Sequence, residues 1–150
     1  MRFSLHVNRE QIRQLAGNGT ELMQHFVPQS PFVQLLGVTV EELADDEATL
    51  RLPWRPELAT VDDMVHGGAI AALADITAMA AAWCGRALPE QLRGVTTSLA
   101  LEFLEPARAE DLIGRGRPLR RGTTLTACEV DIVTASGVPV AKALANYKVG

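Results

Sequence analysis

Asp75 is the only ionisable side chain from Gly67 through Gly85, in a run that reads GGAIAALADITAMAAAWCG. Burying a lone carboxylate in an apolar segment is expensive unless something compensates it. Two readings follow. Asp75 is a catalytic carboxylate that takes a proton from water or attacks an electrophile itself, or it sits at a helix edge bonded to a nearby donor. His66-Gly67-Gly68 opens the same run. Glycines at a helix start let a ligand or another chain approach the backbone, and the first N–H groups lack internal acceptors and sit at the positive end of the dipole. Such an N–H suits a carbonyl oxygen that gains negative charge. The same glycines equally serve tight packing of the helix start, with His66 as a satisfied structural histidine.

Other chemistry-bearing residues are fewer. Arg115, Arg117, Arg120 and Arg121 cluster. On a regular strand Arg115, Arg117 and Arg121 share a face, either a phosphate-binding patch or a solvated, charge-protected strand. Cys84 and Cys128 lie far apart without CxxC spacing and read as core residues. His6, His25 and His66 show no metal-ligand spacing, and neither GxxxxGK[ST] nor GxGxxG occurs. Neither a metal nor another cofactor is expected.

The chain that must position these groups has 150 residues, enough for one domain with a real core. With 14 Lys plus Arg against 18 Asp plus Glu and 5% aromatics, it lacks the basic face and stacking platforms of a general nucleic-acid binder. The N-terminal MRFSLHVNRE has no apolar signal core, so a reducing cytoplasm is the expected location. The Ala-rich run with its central acid reads as a buried helix rather than a membrane span.

Periodicity supplies the elements. Ile12, Leu15, Ala16, Leu22, Met23 and Phe26 recur at helical spacing, with Asn8 and Gln11 as a capping pair and Gly17-Asn18-Gly19 dividing two short helices. Pro28 and Pro31 should end them, with a short turn over Phe32–Leu36. Val38–Leu43 and Ala48–Leu52 read as a hairpin around Asp45-Asp46, and Trp54–Val65 as a loop. A helix over Gly67–Cys84, apolar on nearly every face, should be surrounded by other structure. Thr96–Phe103, Asp111–Leu119, Thr123–Val133 and Val138–Lys148 are four long strands, expected as an antiparallel meander with turns at Gly122 and Gly137. The layout is α+β, a long antiparallel sheet wrapped around one central helix.

VHGGAIAALADITAMAAAWCG resembles the HGG-x6-D helix of the hotdog-fold thioesterases, particularly the phenylacetate-degradation (PaaI-like) type of acyl-CoA thioesterase. TTSLALEFLEPA, PLRRGTTLTACEVDIVTASG and PVAKALANYKV resemble that family's later strands in order and spacing. The resemblance covers roughly residues 32–149. It implies a hotdog domain at 32–150 preceded by an N-terminal helical extension at 1–31. It also implies that Asp75 is the catalytic base or nucleophile, that Gly67 N–H polarises the thioester carbonyl, and that Thr96 helps orient water. His66, Gly68 and Thr60 would touch substrate, and Arg120 and Arg121 the coenzyme A phosphates. Two positions depart from the family: Thr60 stands where Asn is common, and Asp63 stands where Gly is common.

Helix geometry adds a constraint. Gly67 and Asp75 lie about 12 Å apart along a helix axis, too far to act on one carbonyl carbon within a chain. Two chains with antiparallel helices bring Gly67 of one to Asp75 of the other. A homodimer with two sites follows, which in this family can pair into a homotetramer. The expected partners are an acyl-CoA substrate and a second copy of the chain, with neither nucleic acid nor membrane. A hotdog hydratase would need a histidine beside the acid, whereas His66 is nine residues from Asp75. A non-catalytic acyl-CoA or lipid-binding hotdog protein is the rival from another class.

Overall fold

The computed structural model describes residues 9–150. His6 and the expected cap at Asn8 lie outside them. Three helices come first: α1 (Arg9–Leu15), α2 (Gly19–Gln29) and α3 (Pro31–Leu36). The break between α1 and α2 falls at the Gly-Asn-Gly triplet, where Asn18 caps α2 by accepting from Glu21 N–H at 2.9 Å. Glu21 in turn accepts from Gly17 N–H at 2.6 Å, so Asn18 and Glu21 close the helix start together, a cap that the sequence reading did not single out. Two expectations need correction. Pro28 lies inside the last turn of α2 rather than ending it, and the helix stops one residue later at Gln29. Phe32–Leu36 is helical rather than a turn, because Pro31 opens the segment at a first-turn position and Gly37 closes it at φ 79°.

The hairpin β1 (Thr39–Ala44) and β2 (Glu47–Leu52) forms as expected. The segment read as a loop carries a 3-10 turn at Pro56–Leu58 and a small ribbon, β3 (Ala59–Val61) with β4 (Met64–Val65). Then come the long helix α4 (Gly67–Trp83) and four strands: β5 (Gly94–Phe103), β6 (Leu112–Arg121), β7 (Leu125–Thr134) and β8 (Pro139–Val149). The antiparallel sheet wraps α4, in the order β1-β2-β6-β7-β8-β5. The last three strands form the expected meander. β5 does not precede it but crosses over to pair with β8, leaving its other edge free.

Close packing between α4 and the sheet comes from two glycines. A Cβ at Gly114 would stand 2.5 Å from Thr77 Oγ1, and one at Gly116 2.9 Å from Thr77 Cγ2. The helix therefore lies lower over β6 than any side chain would allow. Leu73, Ala74, Ala78, Ala81 and Ala82 of α4 are completely buried in this contact. The expectation that α4 is enclosed on all sides fails in one respect. Gly67, Ala71, Asp75 and Met79, spaced by four, form a stripe that stays only half-buried. Beside it runs the apolar inner face of β5, where Leu99 and Phe103 remain 36% and 56% exposed. Among the described residues no helix is long and apolar enough to cross a membrane.

Candidate active site

The start of α4 is closed by His66. Its Nδ1 accepts from Gly68 N–H at 2.8 Å, and its carbonyl accepts from Ala69 and Ile70. Accepting at Nδ1 puts the imidazole proton on Nε2. In the first turn of α4, Gly67 N–H is then the amide without an acceptor among the described residues. It opens on a surface groove lined by Thr60, Met64, Ile70, Phe103, Leu104 and Pro106. Thr60 and Gly67 therefore share one groove, while the Gly68 amide is taken by His66. Asp63, near this mouth, is neutralised by Arg108 at 2.8 Å. Both side chains are about half-exposed, so the pair contributes under about 1 kcal/mol.

Asp75 lies two turns further along the open stripe. Thr96 Oγ1 donates to Asp75 Oδ1 at 2.6 Å, a charge-assisted bond. A β-bulge makes this possible: the register between β5 and β8 shifts between Thr96 and Ser98. With Thr97 as the extra residue, both Thr96 and Leu99 face α4, although three positions apart. Thr96 pairs in register with Tyr147 of β8, which the sequence did not single out. Burial pushes the Tyr147 hydroxyl above the usual phenol range; Trp83 lowers it and the nearby Asp75 charge raises it. Only strand pairing reveals this neighbour, and no local pattern around Tyr147 signals it.

Arg115, Arg117 and Arg121 do not share a face, for a specific reason. A second bulge, between Pro118 and Arg120, switches the parity of β6. Arg115 and Arg117 point to the outer face, where Arg117 pairs with Glu129. Arg121 turns inward: its guanidinium donates to Ala82 O at 3.1 Å and Asp45 O at 2.6 Å, capping the end of α4. Arg120 stays exposed at the hairpin end. Cys84 and Cys128 are both buried, and burial pushes each thiol up to about 11. Among the described residues no three His, Cys, Asp or Glu side chains converge as a metal site.

One protomer thus holds two half-sites on one helix: an open amide at Gly67 and a carboxylate–hydroxyl pair at Asp75–Thr96. The pair can activate water or attack a carbonyl carbon, and the amide can hold an oxyanion. Their separation of about 12 Å keeps them from the same carbon within one chain.

The chain is similar to known proteins. The family model described as the thioesterase superfamily matches residues 63–141. A candidate esterase of Halobacterium salinarum is 32% identical over 122 residues, covering 79% of this chain and 80% of that one. Among solved structures, AziG of S. sahachiroi is 28% identical with a TM-score of 0.72, over 80% of this chain and 96% of that one. The E. coli PaaI protein of the phenylacetic acid degradation operon shares the fold at a TM-score of 0.66 and 20% identity, over 77% and 85% of the two chains.

Proposed function

Because the chain belongs to the thioesterase superfamily, we propose that it hydrolyses an acyl-CoA thioester to the free acid and coenzyme A. The observation that carries this reading is the Thr96–Asp75 bond on the open stripe of α4. A carboxylate held by a hydroxyl at a half-exposed position, with no cation bound to it among the described residues, is fit to act on water or on carbon.

The reaction runs at the interface of a homodimer. The thioester carbonyl oxygen takes a hydrogen bond from Gly67 N–H of one subunit, and Asp75 of the other stands at the carbonyl carbon. Asp75 removes a proton from water as the water oxygen attacks, or attacks itself to give a mixed anhydride that water then opens. Thr96 orients the attacking group. The C–S bond breaks and the sulfur leaves as a thiolate, a good enough leaving group to need no metal. Thr60 lines the entrance. The open α4 stripe and the free, apolar β5 edge form the surface that a second copy covers. Residues 32–150 form the catalytic unit, to which residues 1–31 are an addition.

The test is thiol release from a panel of aryl and aliphatic acyl-CoAs, with Asp75→Asn as control. Turnover by the wild type and its loss in Asp75→Asn are expected. Tight binding without turnover on every thioester favours a non-catalytic acyl-CoA-binding protein, and the departures at Thr60 and Asp63 are the features that would account for it. Wild-type rates in Asp75→Asn refute the mechanism.

A further inference from the structure

Most basic side chains of this chain are bonded to a carboxylate or a carbonyl: Arg51 to Glu41 and Asp111, Arg86 to Gly122 O, Lys142 to Glu129 and Asp131. Among the described residues Arg9, Arg93, Arg115, Arg120 and Lys148 have no such acceptor. Arg9, Arg93 and Lys148 line one surface groove of about 400 Å³ at the start of β5. Arg9 and Arg93 also line the groove beside it, together with Arg13. Glu10 is the one acidic side chain in either lining. The chain has 18 Asp plus Glu, yet no other stands here, and residues 1–8 contain none.

Backbone pairing holds two of the three segments together. Gly150 N–H donates to Arg93 O at 2.9 Å, and Val95 pairs with Lys148. Thr96 and Tyr147, the next pair in register, face α4, so the side chains of Val95 and Lys148 point to the outer face of the sheet. Neither Asp75 nor Thr96 lines either groove. Cations brought together without carboxylates among them repel one another. A bound anion removes that repulsion, and a guanidinium fork matches the paired oxygens of a phosphoryl group. One phosphoryl group of about five heavy atoms fills under about 80 Å³, at about 10–15 Å³ for each atom. The groove has room for more than one.

We infer that this groove binds a small anion carrying two or more phosphoryl groups, held by Arg9, Arg93 and Lys148 at a site separate from the Asp75–Thr96 pair. A terminal phosphoryl group carries about −1.5 to −2 at pH 7. Two of them therefore match three cations, whereas one leaves a cation over. The site does not depend on the thioesterase reading, because neither its residues nor its charges belong to that chemistry.

Isothermal titration of the full chain with inorganic pyrophosphate, at fixed ionic strength, tests this. Saturable binding of one pyrophosphate per chain is expected, with orthophosphate about 10-fold weaker or more. Arg93→Gln should weaken pyrophosphate binding about 10-fold or more, and Arg9→Gln and Lys148→Gln should act in the same direction. Arg93→Lys keeps the charge without the fork and should recover only part of the affinity. Arg115→Gln removes the same charge from an exposed, unbonded arginine outside the groove and should leave the affinity unchanged. Absence of saturable binding overturns the site. Equal weakening by Arg115→Gln and Arg93→Gln also overturns it, because the chain's overall field then accounts for the attraction. Pyrophosphate that competes with acyl-CoA, with KM raised in Arg93→Gln, overturns a separate site by joining the groove to the candidate one. Groove-dependent binding of pyrophosphate without hydrolysis of any thioester supports the site and refutes the thioesterase reading alone.

Discussion

Replacing Gly114 by Ala adds one methyl group where α4 crosses β6. That carbon would lie 2.5 Å from Thr77 Oγ1 and 3.3 Å from Leu73 Cγ, where ordinary contact begins at 3.4 Å. Thr77 cannot swing aside freely, because its hydroxyl donates to Leu73 O at 2.7 Å and its side chain is completely buried. The helix and sheet must therefore separate by most of an ångström. Overpacking of this kind costs about 1–3 kcal/mol. For a chain of this length it lowers Tm by about 2–12 °C. Thermal and urea unfolding of Gly114→Ala, Thr77→Ala and the double variant close a mutant cycle. Thr77→Ala removes the obstructing oxygen, so the second substitution should recover part of the loss, with a coupling of about 0.5–3 kcal/mol. Because Asp75 precedes Thr77 by one half-turn, kcat should also fall in Gly114→Ala and recover in the double variant. Wild-type stability in Gly114→Ala, or the same penalty with and without the Thr77 hydroxyl, would refute the packing argument.

Further outcomes follow from other contacts. Thr96→Val removes a hydroxyl that donates to a carboxylate, so kcat/KM should fall about 10–100-fold with Tm little changed, while Thr96→Ser keeps activity. Asn18→Ala removes the α2 cap and should destabilise by about 1 kcal/mol, read by chemical denaturation. Cys84 and Cys128, both held at about 11 by burial, should resist iodoacetamide at pH 8 and react once the chain is unfolded; mass spectrometry counts the adducts. Tyr147 is held protonated above its ordinary range by burial. Its contribution is complete below the unfolded value near 10 and is lost as pH rises through the folded one, so stability should decline above about pH 10, and less steeply in Tyr147→Phe.

What could be read in advance was local. The α4 boundaries, the strand segments and the lone acid at Asp75 follow from periodicity and composition over short windows. The features that escaped depend on partners distant in the chain. The inward turn of Arg121 follows from a single-residue bulge, and nothing in PLRRG marks it, since a one-residue shift exchanges the two faces of a strand. The pairing of β5 with β8 brings Tyr147 beside Thr96, and alternation alone assigns no neighbour to a strand. The open stripe of α4 was concealed by its own composition, because alanine and glycine look alike whether they face the sheet or a second molecule. The role of Thr96 was reached through family resemblance, whereas its bond to Asp75 required coordinates.

The strand order also has a consequence for how the molecule is made. β5 has one strand partner, β8, and Gly94 pairs with Val149 at the C-terminal end of the chain. During synthesis β5 emerges well before the strand that will hold it, while β6 and β7 can already pair with each other. The loop between them must close late, at an entropic cost that grows with the chain enclosed. Thr96 therefore settles against Asp75 only once β8 has been made and has paired with β5. Until then the nascent chain carries its acid without its hydroxyl, with an apolar strand exposed to chaperones and to other nascent copies.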